Sequence, residues 1–225
     1  MCIHVGMKTI AVISQKGGSG KTTLCIHLAV ASERDEKTAV VIDLDPQASA
    51  TTWRDVREAE TPAVVPAQPN RLSLVLQEAD KQGAQLAIVD TSPNSETASL
   101  TAARLADFIV IPCRPNLLDL QAITISVELA RIANKPYAVV LNAVPPTGLL
   151  GDNASTVLKD KTIFQAPIQL GHRAAYYHCL NQGQVAQEYD PLGKASDEVF
   201  QLYRWLRELL KGTTVEQLQQ LPVAM

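Results

Sequence analysis

The chain has 225 residues, 46% of them hydrophobic and only 4% aromatic, and a formal net charge of −3. That length predicts a single domain over 1–225, with a core from about 8 to 211 and a tail, 212–225, that the pattern leaves undefined. The charge excludes a generally basic nucleic-acid binder, so any DNA contact needs a local patch. No apolar run reaches the ~18 residues that a membrane span needs, and 1–8 hold no apolar stretch of signal-peptide length. Cys2, Cys25, Cys113 and Cys179 lie far apart, with no C-x-x-C spacing, which predicts reduced thiols in a cytoplasmic protein rather than a zinc or redox site.

In chain order, the apolar run Thr9–Ser14 reads as a strand, followed by a glycine-rich turn and a helix from Thr22 to Ala31 or Ser32. Thr38–Ile42 is a buried strand ending in Asp43-Leu44-Asp45-Pro46-Gln47. Ser49–Glu58 reads as a helix, and Thr61–Pro66 as an edge strand between prolines. A helix over Leu72–Ala79 precedes the strand Gln85–Asp90, then a turn, Thr91-Ser92-Pro93-Asn94. Ser99–Ala106 is helical, Phe108–Pro112 a strand stopped by its proline, Leu117–Ala133 a long helix and Tyr137–Asn142 a strand. Beyond Pro145, a helix over Ala154–Lys159, a short strand at Thr162–Phe164 and an amphipathic helix over Ser196–Lys211 are expected. The alternation predicts an α/β fold: a doubly wound, mostly parallel sheet with helices on both faces.

The turn is Lys16-Gly17-Gly18-Ser19-Gly20-Lys21-Thr22-Thr23. Between a strand and a helix start, such a turn aims backbone N–H groups at a phosphate, and the helix N-terminus adds positive potential. Lys21 supplies a full charge, and the Thr22 hydroxyl suits Mg²⁺. The strict pattern G-x-x-x-x-G-K-[ST] fails, because its first glycine falls at Gln15. Asp90 ends an apolar strand, as a Walker B carboxylate does, and is a second Mg²⁺ candidate. Asp43 and Asp45, two apart at a strand end, can point the same way and orient metal-bound and attacking water.

The form K-G-G-x-G-K-T resembles the deviant Walker A motif of the ParA/MinD family of P-loop ATPases, and Asp43-Leu44-Asp45-Pro46-Gln47 resembles the D-x-D-P-Q switch motif of ParA proteins. The likeness covers about 8–211 and looks closest to small plasmid-type ParA partition proteins. One departure is Ser92, where two prolines are more usual. The resemblance implies ATP and Mg²⁺ as cofactors. It assigns Asp45 to positioning the water, Asp43 to the Mg²⁺ water network, and Lys16 to the partner's nucleotide across an ATP-dependent homodimer. Asn142 is either an adenine reader, as in family members, or a strand-end turn residue. The resemblance also implies non-specific DNA binding in the ATP state, nucleoid association, and hydrolysis stimulated by a ParB-like centromere-binding partner. Lys159, Lys161, Arg173, Lys194, Arg204, Arg207 and Lys211 are either a phosphate-binding patch or solvated helix faces, with Arg173 and Lys194 the favoured DNA contacts.

Three rival readings fare less well. A membrane-cycling, MinD-like ATPase needs a basic amphipathic terminal helix, and Thr213–Leu221 has no basic residue. A metabolic ligase with a related P-loop finds no metabolite pocket in the pattern. A dinucleotide fold fails because Thr23 stands where G-x-G-x-x-G needs its last glycine.

Overall fold

A computed structural model describes residues 6–93 and 95–212. Cys2, Asn94, the leading segment 1–5 and the tail from Thr213, on which the membrane argument above rests, lie outside the described residues.

Six strands form one sheet in the order β3-β2-β4-β1-β5-β6. They are β1 (Lys8–Val12), β2 (Ala39–Asp43), β3 (Ala63–Pro66), β4 (Leu86–Asp90), β5 (Phe108–Cys113) and β6 (Tyr137–Leu141), and every pairing is parallel. β2, β4 and β5 are buried at every position, which is why their sequences are continuous apolar runs rather than alternations.

Alternate strand residues feed two cores. On one side Ile10, Val12, Val41 and Val110 pack with α1 (Lys21–Arg34), α2 (Ser49–Asp55) and α9 (Lys194–Leu210). On the other, Ala11, Ile13, Ile42 and Ile111 meet α3 (Leu72–Lys81), α4 (Glu96–Leu105), α5 (Leu117–Ile132) and α6 (Leu150–Asp160). Each fully buried aliphatic side chain contributes about 1.5–3 kcal/mol, so this two-sided burial is the main force holding the sheet. Two short helices, α7 (Ala175–His178) and α8 (Ala186–Tyr189), complete the α1 side.

Most expected elements stand within a few residues of their predicted bounds, and the differences include an α6 that begins at Leu150 rather than Ala154. β5 runs through Pro112, which pairs with Val140. Val110 accepts from the Ile13 amide, so residue 112 also turns toward β1, and β1's pairing has already ended there. The missing N–H therefore costs no ladder bond. Thr162–Phe164 is not a strand; only Gln165 bridges to Val139. α4 begins at Glu96, earlier than expected, because Ser95 caps it by accepting from the Ala98 amide at 3.3 Å.

Candidate functional site

The sheet order puts β1 between β4 and β5, so the loop leaving β1 rises from the centre of the carboxyl edge, where open α/β sheets bind ligands. Register then brings the acids to it. Asp90 pairs with Val12, and Asp43 with Asp90, so two carboxylates from separate strands stand side by side at the root of the loop.

The loop itself is an anion cradle. Gly20 takes a left-handed φ of 95° as it enters α1, and a Cβ there would stand 2.2 Å from the Asn142 amide nitrogen. Only glycine fits this corner. No side chain caps α1, and its first ladder bond runs from Leu24 N to Gly20 O, so the preceding amides are open to phosphate oxygens. The Ser19 hydroxyl is buried and, among the described residues, has no partner, which makes it a further donor for an anion.

The two lysines of the loop have different surroundings. Lys21 is buried, and its ammonium donates to the Lys16 carbonyl at 3.4 Å. Burial lowers its pKa, while Asp90 and Asp45 oppose that shift and favour the charge. Lys16 is exposed and makes no ion pair among the described residues.

Asp90 is the most informative acid. It is wholly buried, and among the described residues neither carboxylate oxygen has a hydrogen-bond partner. Burial pushes its pKa up to about 7, helped by the charges of Asp43 and Asp45, while the nearby Thr22 hydroxyl and Lys21 pull the other way. A carboxylate held without donors beside a phosphate cradle is what a cation would satisfy. Among the described residues no group of three or more His, Cys, Asp or Glu could hold a metal alone. Mg²⁺ is compatible with that: it takes one or two protein oxygens and completes its shell with phosphate and water. Asp90 and Thr22 fit that task.

Asp43 is differently employed. Its carboxylate accepts from the Asp45 amide at 3.0 Å and from both the amide and hydroxyl of Thr51 at 3.1 Å. These bonds brace the turn into α2 and use most, though not all, of the acceptor capacity that the expected Mg²⁺ water network would share. Asp45 is half-buried and lines a cleft of 610 Å³ with Gly18, Gly20, Lys21, Thr22 and Thr23. Among the described residues its carboxylate accepts from the Gln47 amide alone, at 3.0 Å, and its position over the cleft suits a group that orients water.

Asn142 is also spoken for. Its amide nitrogen donates to Ser19 O at 2.8 Å and its oxygen accepts from Ala143 N at 2.9 Å. In this arrangement it is a strut under the phosphate loop, and reading adenine would require it to release Ser19. A second cavity, of 210 Å³, continues from Gly18, Gly20 and Asn142 toward His172, Tyr176 and Tyr177. Its aromatic lining suits a nucleoside. Sequence reasoning did not reach this lining, since it comes from the irregular segment after β6.

The expected DNA contacts separate. Arg173 lines the second cavity, with its guanidinium paired to Glu198. Its charge is therefore compensated within the chain. Lys194 is exposed and forms no ion pair among the described residues. Arg207 is tied to Asp35, and Lys211 to Glu208 at 2.8 Å.

This phosphate cradle, with a buried acid at its root, has the form of a nucleotide site. The family model for the CobQ/CobB/MinD/ParA nucleotide binding domain matches residues 10–175, and the chain belongs to that family. It is a ParA/MinD-family ATPase, and the cradle with Asp90 and Thr22 suits a nucleotide with Mg²⁺. Over 145 residues it is 34% identical to maintenance of carboxysome distribution protein A of Gloeobacter kilaueensis, a match covering 63% of this chain and 66% of that one. It is 28% identical over 182 residues to Protein ParA of Rhizobium radiobacter, covering 76% and 81% respectively. The solved ATP complex of a substituted Cyanothece McdA shares the fold with a TM-score of 0.73 at 16% identity, over 90% of this chain and 97% of that one.

Proposed function

We propose that the chain is an ATP-driven positioning switch that acts in DNA partition. In the ATP state two copies close across their phosphate loops, each Lys16 reaching the partner's nucleotide as an arginine finger would. The γ-phosphate completes an interface that ADP leaves short, which gives a two-state device. The dimer binds DNA without sequence preference, a ParB-like partner stimulates hydrolysis, and the protein leaves the DNA as ADP forms. Asp45 orients the attacking water, and Asp90 with Thr22 holds Mg²⁺.

One observation carries this reading. The loop has a buried lysine committed to its own site, Lys21, and an exposed lysine with no ion pair among the described residues, Lys16. The second is free to reach a nucleotide held by another copy. Of the two favoured DNA contacts, exposed Lys194 is the better supported, since Arg173 is neutralised by Glu198. A protein assembly as cargo is a second reading, favoured by the carboxysome-distribution relative; the switch would be the same and only the partner would differ.

The test is fluorescence anisotropy of a labelled duplex of arbitrary sequence. Binding should appear with ATP, vanish with ADP, fall steeply with salt and weaken in Lys194→Ala. An ATP form that ignores DNA at low salt removes the partition reading.

A further inference from the structure

We propose that Arg114, which belongs to no part of the phosphate-loop motif, binds the nucleotide, gripping its phosphate chain at the end nearest the ribose. Arg114 is the first residue past β5, on the strand beside β1. Its backbone is held at the carbonyl. The Arg114 carbonyl accepts from Asn116 N at 2.9 Å and from the Cys113 thiol at 3.4 Å. Asn116 in turn caps α5 by accepting from Asp119 N at 3.0 Å. A strand end and a capped helix thus aim the side chain at the loop.

The guanidinium lies over Gly18. Its Nη2 is 3.7 Å from where a Cβ on that glycine would stand, and Gly18 has a φ of +72°. Arg114 lines the 210 Å³ cavity with Gly18, Gly20 and Asn142, and that cavity shares Gly18, Gly20 and Thr23 with the cleft over Lys21 and Thr22. It therefore stands at the junction where a nucleotide passes from phosphates to ribose. Two arginines line this cavity. Arg173 is neutralised by Glu198, whereas Arg114 makes no ion pair or side-chain hydrogen bond among the described residues. A planar guanidinium with free donors, exposed at the lip of an anion cradle, matches a phosphate's paired oxygens better than a lysine would. The inference rests on the nucleotide site alone and not on DNA, dimer or cargo.

Isothermal titration of dilute protein with Mg-ADP and with adenosine tests it, since ADP keeps dimerisation out of the readout. Arg114→Ala and Arg114→Gln should each weaken ADP about tenfold, the size of a lost charged hydrogen bond, while adenosine affinity stays unchanged. Arg114→Lys should recover part of the loss. The urea midpoint of the nucleotide-free protein should not move, because no intrachain ion pair is removed. Wild-type ADP affinity in Arg114→Gln overturns the proposal, as does an equal loss for adenosine. Either result leaves the positioning switch standing.

Discussion

His27, in the middle of α1, has no solvent exposure. Its Nδ1 lies 2.7 Å from the Thr23 carbonyl and its Nε2 accepts from the Ala186 amide at 3.0 Å. The second bond requires a lone pair on Nε2, so the ring is neutral, with its proton on Nδ1. Burial lowers its pKa to about 4 against 6.5 in a free chain, although the Thr23 carbonyl and Glu188 favour the charged form. Between those values the unfolded chain binds a proton that the fold refuses, so stability falls as pH drops through this window. The contribution is complete above about pH 6.5 and gone below about pH 4; it amounts to about 3 kcal/mol. Asp90, pushed up to about 7, works in the opposite sense over the same range, so the effect of His27 is read as a difference: the change in urea unfolding free energy between pH 7 and pH 5 should differ by about 2 kcal/mol between the parent and His27→Gln. An equal slope in the variant would show that other groups set the acid sensitivity. At this scale the sequence was legible where chemistry is local. The places of Lys16, Lys21 and Thr22 in one strand–turn–helix stretch, and of Asp90 at a strand end, could be read from local pattern, whereas the role proposed for Lys16 comes from the family resemblance alone. Asn142 and Arg114 were not legible in the same way, because what each touches, Ser19 and Gly18, lies more than ninety residues away in sequence.

The element that answers to the site is α2, which begins just after Asp45. It does not stand alone. Trp53 donates from Nε1 to the Gln184 carbonyl at 3.1 Å, and Arg57, just past the helix, stacks 4.8 Å from the Trp53 ring. Arg57 also donates to Gly183 O at 2.9 Å and forms a two-pronged pair with Glu188 of α8 at 2.7 and 2.8 Å. Burial works against the Glu188 charge, but Arg57 and the Val185 amide outweigh it and hold its carboxyl below the usual range. Leu180 and Asn181, in the same segment, line the cleft that Asp45 also lines. The pair thus ties the segment that follows Asp45 to the stretch that carries Leu180 and Asn181. Arg57→Ala would leave a partly buried carboxylate unpaired and should cost about 3 kcal/mol in urea unfolding. A loss under 1 kcal/mol would mean that the two segments are not held by this contact. The strands were readable because two-sided burial writes them as unbroken apolar runs. α7 and α8 were not, because each spans only four residues, too short to show helical periodicity.

For the whole molecule, alternation in the sequence was enough to predict a parallel sheet with helices on both faces. The order β3-β2-β4-β1-β5-β6 was not, since it is set by which strands share a buried face across long crossovers. That order is what matters for function: it seats β1 centrally and leaves the phosphate loop, Asp45 and Lys16 on one open edge. A second copy meeting that edge would bury Lys16, which the single chain leaves in solvent. Sedimentation velocity with Mg-ATP tests this most directly. The chain and Asp45→Ala should sediment as dimers with ATP and as monomers with ADP, and Lys16→Ala should bind ADP normally yet remain monomeric with ATP. A monomer in ATP for the Asp45→Ala variant, or a Lys16→Ala protein that dimerises as the parent does, would contradict an ATP site completed by its partner.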